Sequence, residues 1–465
     1  MSKNVKILGV SGSIRSNYTY DTLLENLIIK STSKEELLRE IDAANIKFSN
    51  TDIAVAYALL GAKQLGAEVR FLTIKKLFGF FERKLFNDES SFVEPDIANI
   101  DTLSIEPSEL NKLINEIDNS EGIVLGSPVY FGDRSSVANK LLQITNRNKL
   151  LDGKAFGSVA VGAKRNGGQE TTIIYTLFDA LTQNAIVVGN GPPNAQYGGT
   201  VVAGDIGKAK EDLEGLGISY RTGSRVFVLS NILKKGKENN VDTKLNITLL
   251  ITMDTYNRKY ENMLIDYFRP FVNSHNINII NLTCFNIYRC VACKICPSPS
   301  IRKDHLNEKV KYGCVIQDEK DSLKCIQGSL LNSDCIVVAG VNAKEEIVTR
   351  YQAFIERTRF MRRDDFHLTN VPIVGLLINE IDAKSYPLHN VKVLTSFIRH
   401  NTFVMKPLQI VICDGRIIFS DDFKGHIRLL QYIKNGRKLS SYMNVSYKAT
   451  GYSDKCLDST HTMRK

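Results

Sequence analysis

Cys290, Cys293 and Cys296 are each separated by two residues, and Cys314 follows after a longer gap. Three thiolates at that spacing can bind one face of a cubane, and a fourth from a nearby loop would complete a [4Fe–4S] site. Four thiolates suit zinc as well, and a loop without metal is the plain alternative. Cys284 or Cys325 could stand in for Cys314. All nine cysteines lie after residue 280, and the odd number argues against a disulfide framework. Cys335 and Cys413 fall on predicted strands and read as core.

A second pattern lies at the other end of the chain. Ser11-Gly12-Ser13-Ile14-Arg15 follows a short apolar run. A Gly/Ser turn between a buried strand and a helix exposes backbone N–H groups and hydroxyls beside a helix N-terminus, which together hold a phosphate. The seven histidines form no H-E-x-x-H pair, and no Ser/His/Asp arrangement is visible, so hydrolase chemistry is disfavoured. A Gly-x-Gly-x-x-Gly fingerprint is missing too.

These residues need elements to hold them. Apolar runs alternate with helical patterns in both halves, the rhythm of a parallel sheet with crossover helices. Strands are expected at 5–10, 68–73, 122–126, 155–161 and 185–188, with helices at 52–65, 107–118, 135–148, 169–183 and 207–235. The polar stretch 236–243 marks a boundary. Strands then recur at 246–252, 277–283, 335–339, 372–378 and 408–412, with helices near 256–273, 318–332, 344–361, 388–400 and 422–436. The expected fold class is α/β, as two tandem flavodoxin-like, doubly wound, five-stranded parallel sheets covering 1–238 and 239–465. Residues 16–48 form a helical insertion, with LLENLII and EELLREI as its amphipathic stretches.

Length and composition agree with this division. The chain has 465 residues, 43% apolar and 24% charged, which suits two or three globular domains. No apolar run approaches the roughly 18–20 residues that span a bilayer. The basic, briefly apolar N-terminus reads as a first strand rather than a signal peptide, so a cytoplasmic protein without a membrane partner is expected. Of the +10 net charge, residues 244–465 carry roughly 32 Lys and Arg against roughly 21 Asp and Glu. Dispersed solvated charge explains this simply; an acidic protein partner would also fit. Nucleic acid is disfavoured, because no aromatic residues interleave a basic stripe.

After the insertion come Ser49-Asn50-Thr51, then Gly61-Ala62-Lys63-Gln64-Leu65-Gly66-Ala67-Glu68-Val69. With Gly12-Ser13-Ile14-Arg15, these resemble the NAD(P)H-dependent FMN reductase superfamily and, within it, the iron–sulfur flavoproteins. Gly126-Ser127-Pro128-Val129-Tyr130-Phe131-Gly132-Asp133 and Gly167-Gly168-Gln169-Glu170 also match. The resemblance implies FMN, its phosphate held by Ser11, Ser13, Ile14, Arg15, Ser49, Asn50 and Thr51. Pro128, Val129, Tyr130, Phe131 and Gly132 would wrap the isoalloxazine, Gly167, Gly168, Gln169 and Glu170 would form a second flavin loop, and Tyr197–Thr200 could approach the ring. The phosphate site requires that the insertion fold outward and leave its flanks together. Members of the superfamily bind NAD(P)H transiently over the flavin, so the missing dinucleotide fingerprint decides little.

The second half departs from this pattern. Met253-Asp254-Thr255 replaces the Gly/Ser turn and Gly340-Val341-Asn342 the Pro-Val-Tyr loop, so no flavin is expected there. The iron–sulfur flavoproteins carry their cysteines at the point of the fold that Cys290, Cys293, Cys296 and Cys314 occupy, although with a shorter last gap. The expectation is an FMN-dependent oxidoreductase passing electrons between FMN in the first domain and a [4Fe–4S] cluster in the second. The chain would be an internal pseudo-dimer with the thiolate loop near the flavin. Its partners would be a small-molecule or protein electron donor or acceptor, such as an acidic ferredoxin, and homo-oligomers are open. An NAD(P)H-dependent flavin or quinone reductase with structural cysteines is one alternative; a redox-sensing binding module is another.

Overall fold

The computed structural model describes residues 4–15, 20–73, 107–293, 296, 314, 316, 318–342, 348–362, 366–381 and 388–440. The chain divides into two compact units. The first takes the described residues up to Asn190 and Tyr197–Lys234; the second takes Gly191–Gln196 and those from Lys235 onward.

In the first unit, β1 (Lys6–Ser11) is central, with Ile7, Leu8 and Val10 almost fully buried, as a parallel strand covered on both faces requires. It pairs in parallel with β2 (Glu68–Thr73) on one side and β3 (Gly122–Tyr130) on the other, and β3 pairs with β5 (Ala155–Gly162). Short β6 (Ile186–Val187) and β7 (Gly199–Val202) both extend β5 in parallel. The register puts Thr73, Ser11, Gly126, Val159 and Gly199 in one row across the sheet. The turns after β1, β3 and β5 therefore leave the same edge, where open parallel sheets bind ligands.

The insertion forms two helices, α1 (Asp21–Lys30) and α2 (Lys34–Ala43). It leaves and returns at one place, where the Tyr20 and Phe48 rings meet edge to face at 6.3 Å. Helix α1 does more than pack. Glu25 accepts the Phe71 N–H at 2.9 Å and Asp21 the Thr73 N–H at 3.1 Å. Residues four apart on a helix and two apart on a strand repeat at similar intervals, about 6 Å. The carboxylates thus match the outward N–H groups of edge strand β2, which would otherwise offer a template for foreign strands.

The second unit orders its strands β9 (Asn276–Asn281), β8 (Asn246–Ile251), β10 (Cys335–Asn342), β11 (Pro372–Glu380) and β12 (Phe403–Cys413), all parallel. This is the flavodoxin order of an α/β fold. A sixth strand, β13 (Arg416–Ser420), turns back antiparallel on β12 and is exposed throughout.

Several boundaries differ from expectation for visible reasons. The long helix expected from 207 runs Leu213–Glu238, because Asp212 accepts the Gly215 N–H at 3.1 Å and caps it there; its end crosses the expected linker. The helix expected over 256–273 stops at Phe268, ahead of Pro270. The helix expected from 318 begins at Leu323, since Asp318 and Asp321 are spent on bonds to Tyr288. The expected boundary at 239 also misses Gly191–Gln196, which pack with the second unit.

Burial also sets a pH dependence in the second unit. His400 is 4% exposed, and burial, with Arg362 and Arg399 nearby, pushes its pKa down to about 3. His400 stays neutral in the fold but takes a proton in the unfolded chain below about pH 6.5. Its penalty is absent above that pH and grows as pH falls toward 3. At pH 5 it reaches about 2 kcal/mol. Burial also lowers His389, to about 4, and His275 and His426 in the same unit, so urea unfolding at pH 7 and 5 should show a larger loss than this, and His400→Gln should reduce it by about 2 kcal/mol.

Candidate functional site

The turn after β1 is buried at Ser11 and Ser13 and exposed at Ile14 and Arg15. The Gly12 N–H donates to the Gly126 carbonyl at 2.7 Å, fixing the turn on the end of β3. The Ser13 hydroxyl accepts the Arg15 N–H at 3.2 Å. From the far side of the insertion arrives α3 (Asn50–Lys63), with Ser49 as its N-cap and Asp52 completing a capping box. A side chain at Gly126 would stand 2.3 Å from Val55 Cγ2 and 3.0 Å from Thr51 Cγ2, so the glycine lets this helix start lie against the strand end. Ser13 and Thr51 therefore belong to segments that converge on Gly126. Asn50 points elsewhere: its amide donates to the Asp205 carbonyl at 2.6 Å and accepts the Ala209 N–H at 2.9 Å, holding the 205–209 segment to the helix.

Pro128–Gly132 form the end of β3 and the turn of a tight hairpin with β4 (Asp133–Arg134). Phe131 and Gly132 both have positive φ, 50° and 80°, the conformation of a two-residue hairpin turn. Phe131 is fully exposed and Tyr130 half exposed. Val129 and Pro128 are part-buried at the base. The hairpin is tied back at Ser135, whose N–H donates to Ser127 Oγ at 3.0 Å and whose hydroxyl donates to the Gly12 carbonyl at 2.9 Å. Ser135 also caps α5 (Ser136–Arg147), where α4 is the preceding helix Pro107–Asp118.

Gly167 and Gly168 sit beside this hairpin. Gly168 has φ +97°, and a Cβ there would lie 2.7 Å from Gly132 Cα; only glycine allows the two turns to touch. Helix α6 (Gln169–Thr182) starts at once. Gln169 is buried, donating to the Lys164 carbonyl at 2.7 Å, and so braces its own loop; Glu170 is exposed.

The second unit treats the equivalent places differently. Asp254, after β8, accepts the N–H groups of Thr349 and Arg350, each at 2.7 Å, at the start of α10 (Thr349–Arg357); α7 to α9 are Leu213–Glu238, Arg258–Phe268 and Leu323–Leu331. A carboxylate in the turn after β8 thus caps the helix that follows β10, and puts a negative charge where the first unit has its Gly/Ser turn.

Cys290, Cys293, Cys296 and Cys314 are free thiols of intermediate exposure. Among the described residues no three His, Cys, Asp or Glu side chains stand close enough to share a metal ion, so the four thiols are not gathered as the spacing suggested. Their flanks, by contrast, are joined. Asn286 donates to the Lys320 carbonyl at 3.0 Å and accepts the Ser322 N–H, through its own carbonyl, at 2.9 Å. Arg357 and Asp321 form a buried ion pair at 2.7 Å, and Arg357 also donates to the Tyr288 carbonyl at 2.9 Å. Burial works against the charged guanidinium, but Asp321 and the neighbouring Cys314 outweigh it and hold the Arg357 pKa above its ordinary value. This pair, Arg134 and Asp254's capping role went unforeseen, because each depends on a partner distant in sequence.

A parallel flavodoxin-order sheet carrying these loops at one edge defines a flavin-binding class of α/β protein. Residues 41–197 match the NADPH-dependent FMN reductase family. The chain is 34% identical over 193 residues to an iron–sulfur flavoprotein of Methanocaldococcus jannaschii, covering 40% of this chain and 93% of that one. A second iron–sulfur flavoprotein of that organism is 28% identical, over 39% and 90%. An NAD(P)H dehydrogenase (quinone) of Rhodopseudomonas palustris is 26% identical, over 28% and 59%. The chain belongs to the FMN reductase and iron–sulfur flavoprotein family and is a flavin-dependent oxidoreductase. Its residues fit FMN: buried hydroxyls beside a helix N-terminus suit a phosphate. No helix among the described residues is long and apolar enough to cross a membrane.

Proposed function

We propose that the first unit holds one FMN and the second holds none, carrying instead a [4Fe–4S] cluster on Cys290, Cys293, Cys296 and Cys314 that exchanges electrons with the flavin. The convergence of three loops on one sheet edge, next to Gly126, carries the flavin part of this reading. When bound, FMN supplies two-electron and one-electron chemistry to the chain. Ser11, Ser13, Ile14 and Arg15 would enclose the phosphate from one side, and Ser49 and Thr51 from the other. Asn50 would act indirectly, by fixing 205–209. Pro128–Gly132 and the adjoining Gly167, Gly168 and Glu170 would together border the ring, with Gln169 bracing the second loop. Asp254 supports the absence of a second flavin, since it puts a negative charge in the turn after β8, the counterpart of the phosphate turn after β1.

Four thiols have the donor chemistry of an iron–sulfur site, and the segments at 286–288 and 318–322 beside them are joined. Electrons would reach the protein from NAD(P)H or from a protein carrier. The excess positive charge after residue 244 suits an acidic, ferredoxin-like partner.

Anaerobically purified protein should contain about one FMN and about four irons with matching sulfide per chain. Two FMN per chain would end the division of labour. The dispersed thiols favour one other reading, an NAD(P)H-dependent flavin or quinone reductase with structural cysteines. One FMN, no iron and rapid NAD(P)H oxidation would establish it.

A further inference from the structure

The aromatic hairpin has too little structure of its own to stay where the flavin reading needs it. Only two residue pairs join its strands, Val129 with Arg134 and Tyr130 with Asp133, and short isolated hairpins are marginal in water. Its tip is in solvent, so packing does not hold it. What holds its far strand is Arg134. This side chain is 6% exposed and reaches α6, the helix that opens at Gly168. One terminal nitrogen donates to Thr176 Oγ1 at 3.4 Å, and the other pairs with the Asp179 carboxylate. Thr176 and Asp179 are three residues apart, on one helical face, so the planar fork engages both.

We propose that Arg134 is a positioning residue for the flavin: anchored on Thr176 and Asp179, it holds Tyr130–Gly132 against the Gly168 turn, so that the two touching loops present one fixed border to the ring. Arg134 itself touches no flavin atom in this arrangement. It acts through the hairpin and links the two loops that would flank the ring. Three ties then surround the turn: Ser135 to the Gly12 carbonyl, Gly132 to Gly168, and Arg134 to α6. The first connects the hairpin with the phosphate turn. The other two set its distance from the second flavin loop. Among the described residues no other polar contact joins β4 to α6, so losing the guanidinium leaves only the Gly132 contact to set the distance to the second flavin loop. The inference rests on FMN binding beside these loops, as proposed above.

The test uses the full chain, stripped of flavin and titrated with FMN, with Arg134→Gln, Arg134→Lys and Asp179→Asn beside the parent. Asp179 is half exposed, so Asp179→Asn provides a folded variant even if Arg134→Gln does not fold. Charge-assisted hydrogen bonds of this kind correspond to a Kd increase of about tenfold, less than full burial would give because Asp179 is solvated. Arg134→Gln and Asp179→Asn should each weaken FMN by about that factor and change the visible absorption of the bound flavin. Combining them should weaken it little further, Arg134→Lys should recover part of the loss, and melting of the flavin-free Asp179→Asn protein, altered at the half-exposed partner, should stay unchanged. FMN affinity and spectrum within twofold of the parent in both single variants would overturn the inference and leave the flavin reading intact. So would a matching loss of flavin-free melting temperature, which would make the contact structural only. If the parent binds no FMN, it is the underlying reading that fails.

Discussion

Arg357→Met should lower the stability of the second unit by about 3–5 kcal/mol, the usual cost of removing one partner from a buried ion pair. Both side chains are almost wholly inaccessible, 1% exposed for Arg357 and 4% for Asp321. Without the guanidinium, Asp321 keeps a charge that only the Tyr288 N–H, at 3.2 Å, still faces. Equilibrium urea unfolding, followed by circular dichroism, measures the loss. Arg357→Met combined with Asp321→Leu should regain most of it, because a neutral pair of similar volume leaves no stranded charge. A single-variant loss under about 1 kcal/mol would mean the pair is hydrated. The position gives the change a second consequence. Tyr288 lies two residues before Cys290, and Cys314 lies beside the guanidinium. Iron retention, where the proposed cluster is present, should fall along with stability.

Gly168→Ala should weaken FMN binding by on the order of a hundredfold. Alanine at φ +97° bears a left-handed backbone cost of about 1–2 kcal/mol. Its Cβ would also meet the Gly132 backbone at 2.7 Å, and a clash with main chain, unlike one with a flexible side chain, forces a loop to move at a cost of about 1–3 kcal/mol. Gly66→Ala separates the two costs. Gly66 has φ +104° but nothing within 4 Å of the added carbon. It should lose stability and leave FMN affinity alone. Isothermal titration of both flavin-free proteins with FMN decides the matter; equal affinities would show that the second loop does not border the flavin.

Much of the architecture can be read from the chain because parallel strands buried on both faces appear as unbroken apolar runs. The first strand is displaced by one residue from expectation, and 68–73 coincides with β2. β13 escapes that logic: Ile417, Ile418 and Phe419 are apolar yet half exposed, so neither alternation nor a buried run marks it. β7 is missed because Gly198-Gly199 precede only a few strand residues. In the candidate site, Gly/Ser turns and the Pro-Val-Tyr segment are local signals and are legible. Asn50 and Gln169 are placed on the right loops, but their side chains turn to Asp205, Ala209 and Lys164. Such choices depend on which distant carbonyl comes within reach, and no short window of sequence contains that information. The four cysteines show the same limit, since spacing states donor type but not the path between donors.

The split of the phosphate turn by α1 and α2 makes cofactor uptake and local folding a linked equilibrium. Ser13 and Thr51 stand on the two flanks that this excursion joins, and the excursion docks through Asp21 and Glu25 on β2. A ligand gripping both flanks would stabilise the docked state by mass action. Saturating flavin should then shield residues 20–48 from proteolytic nicking, with protection rising as occupancy rises.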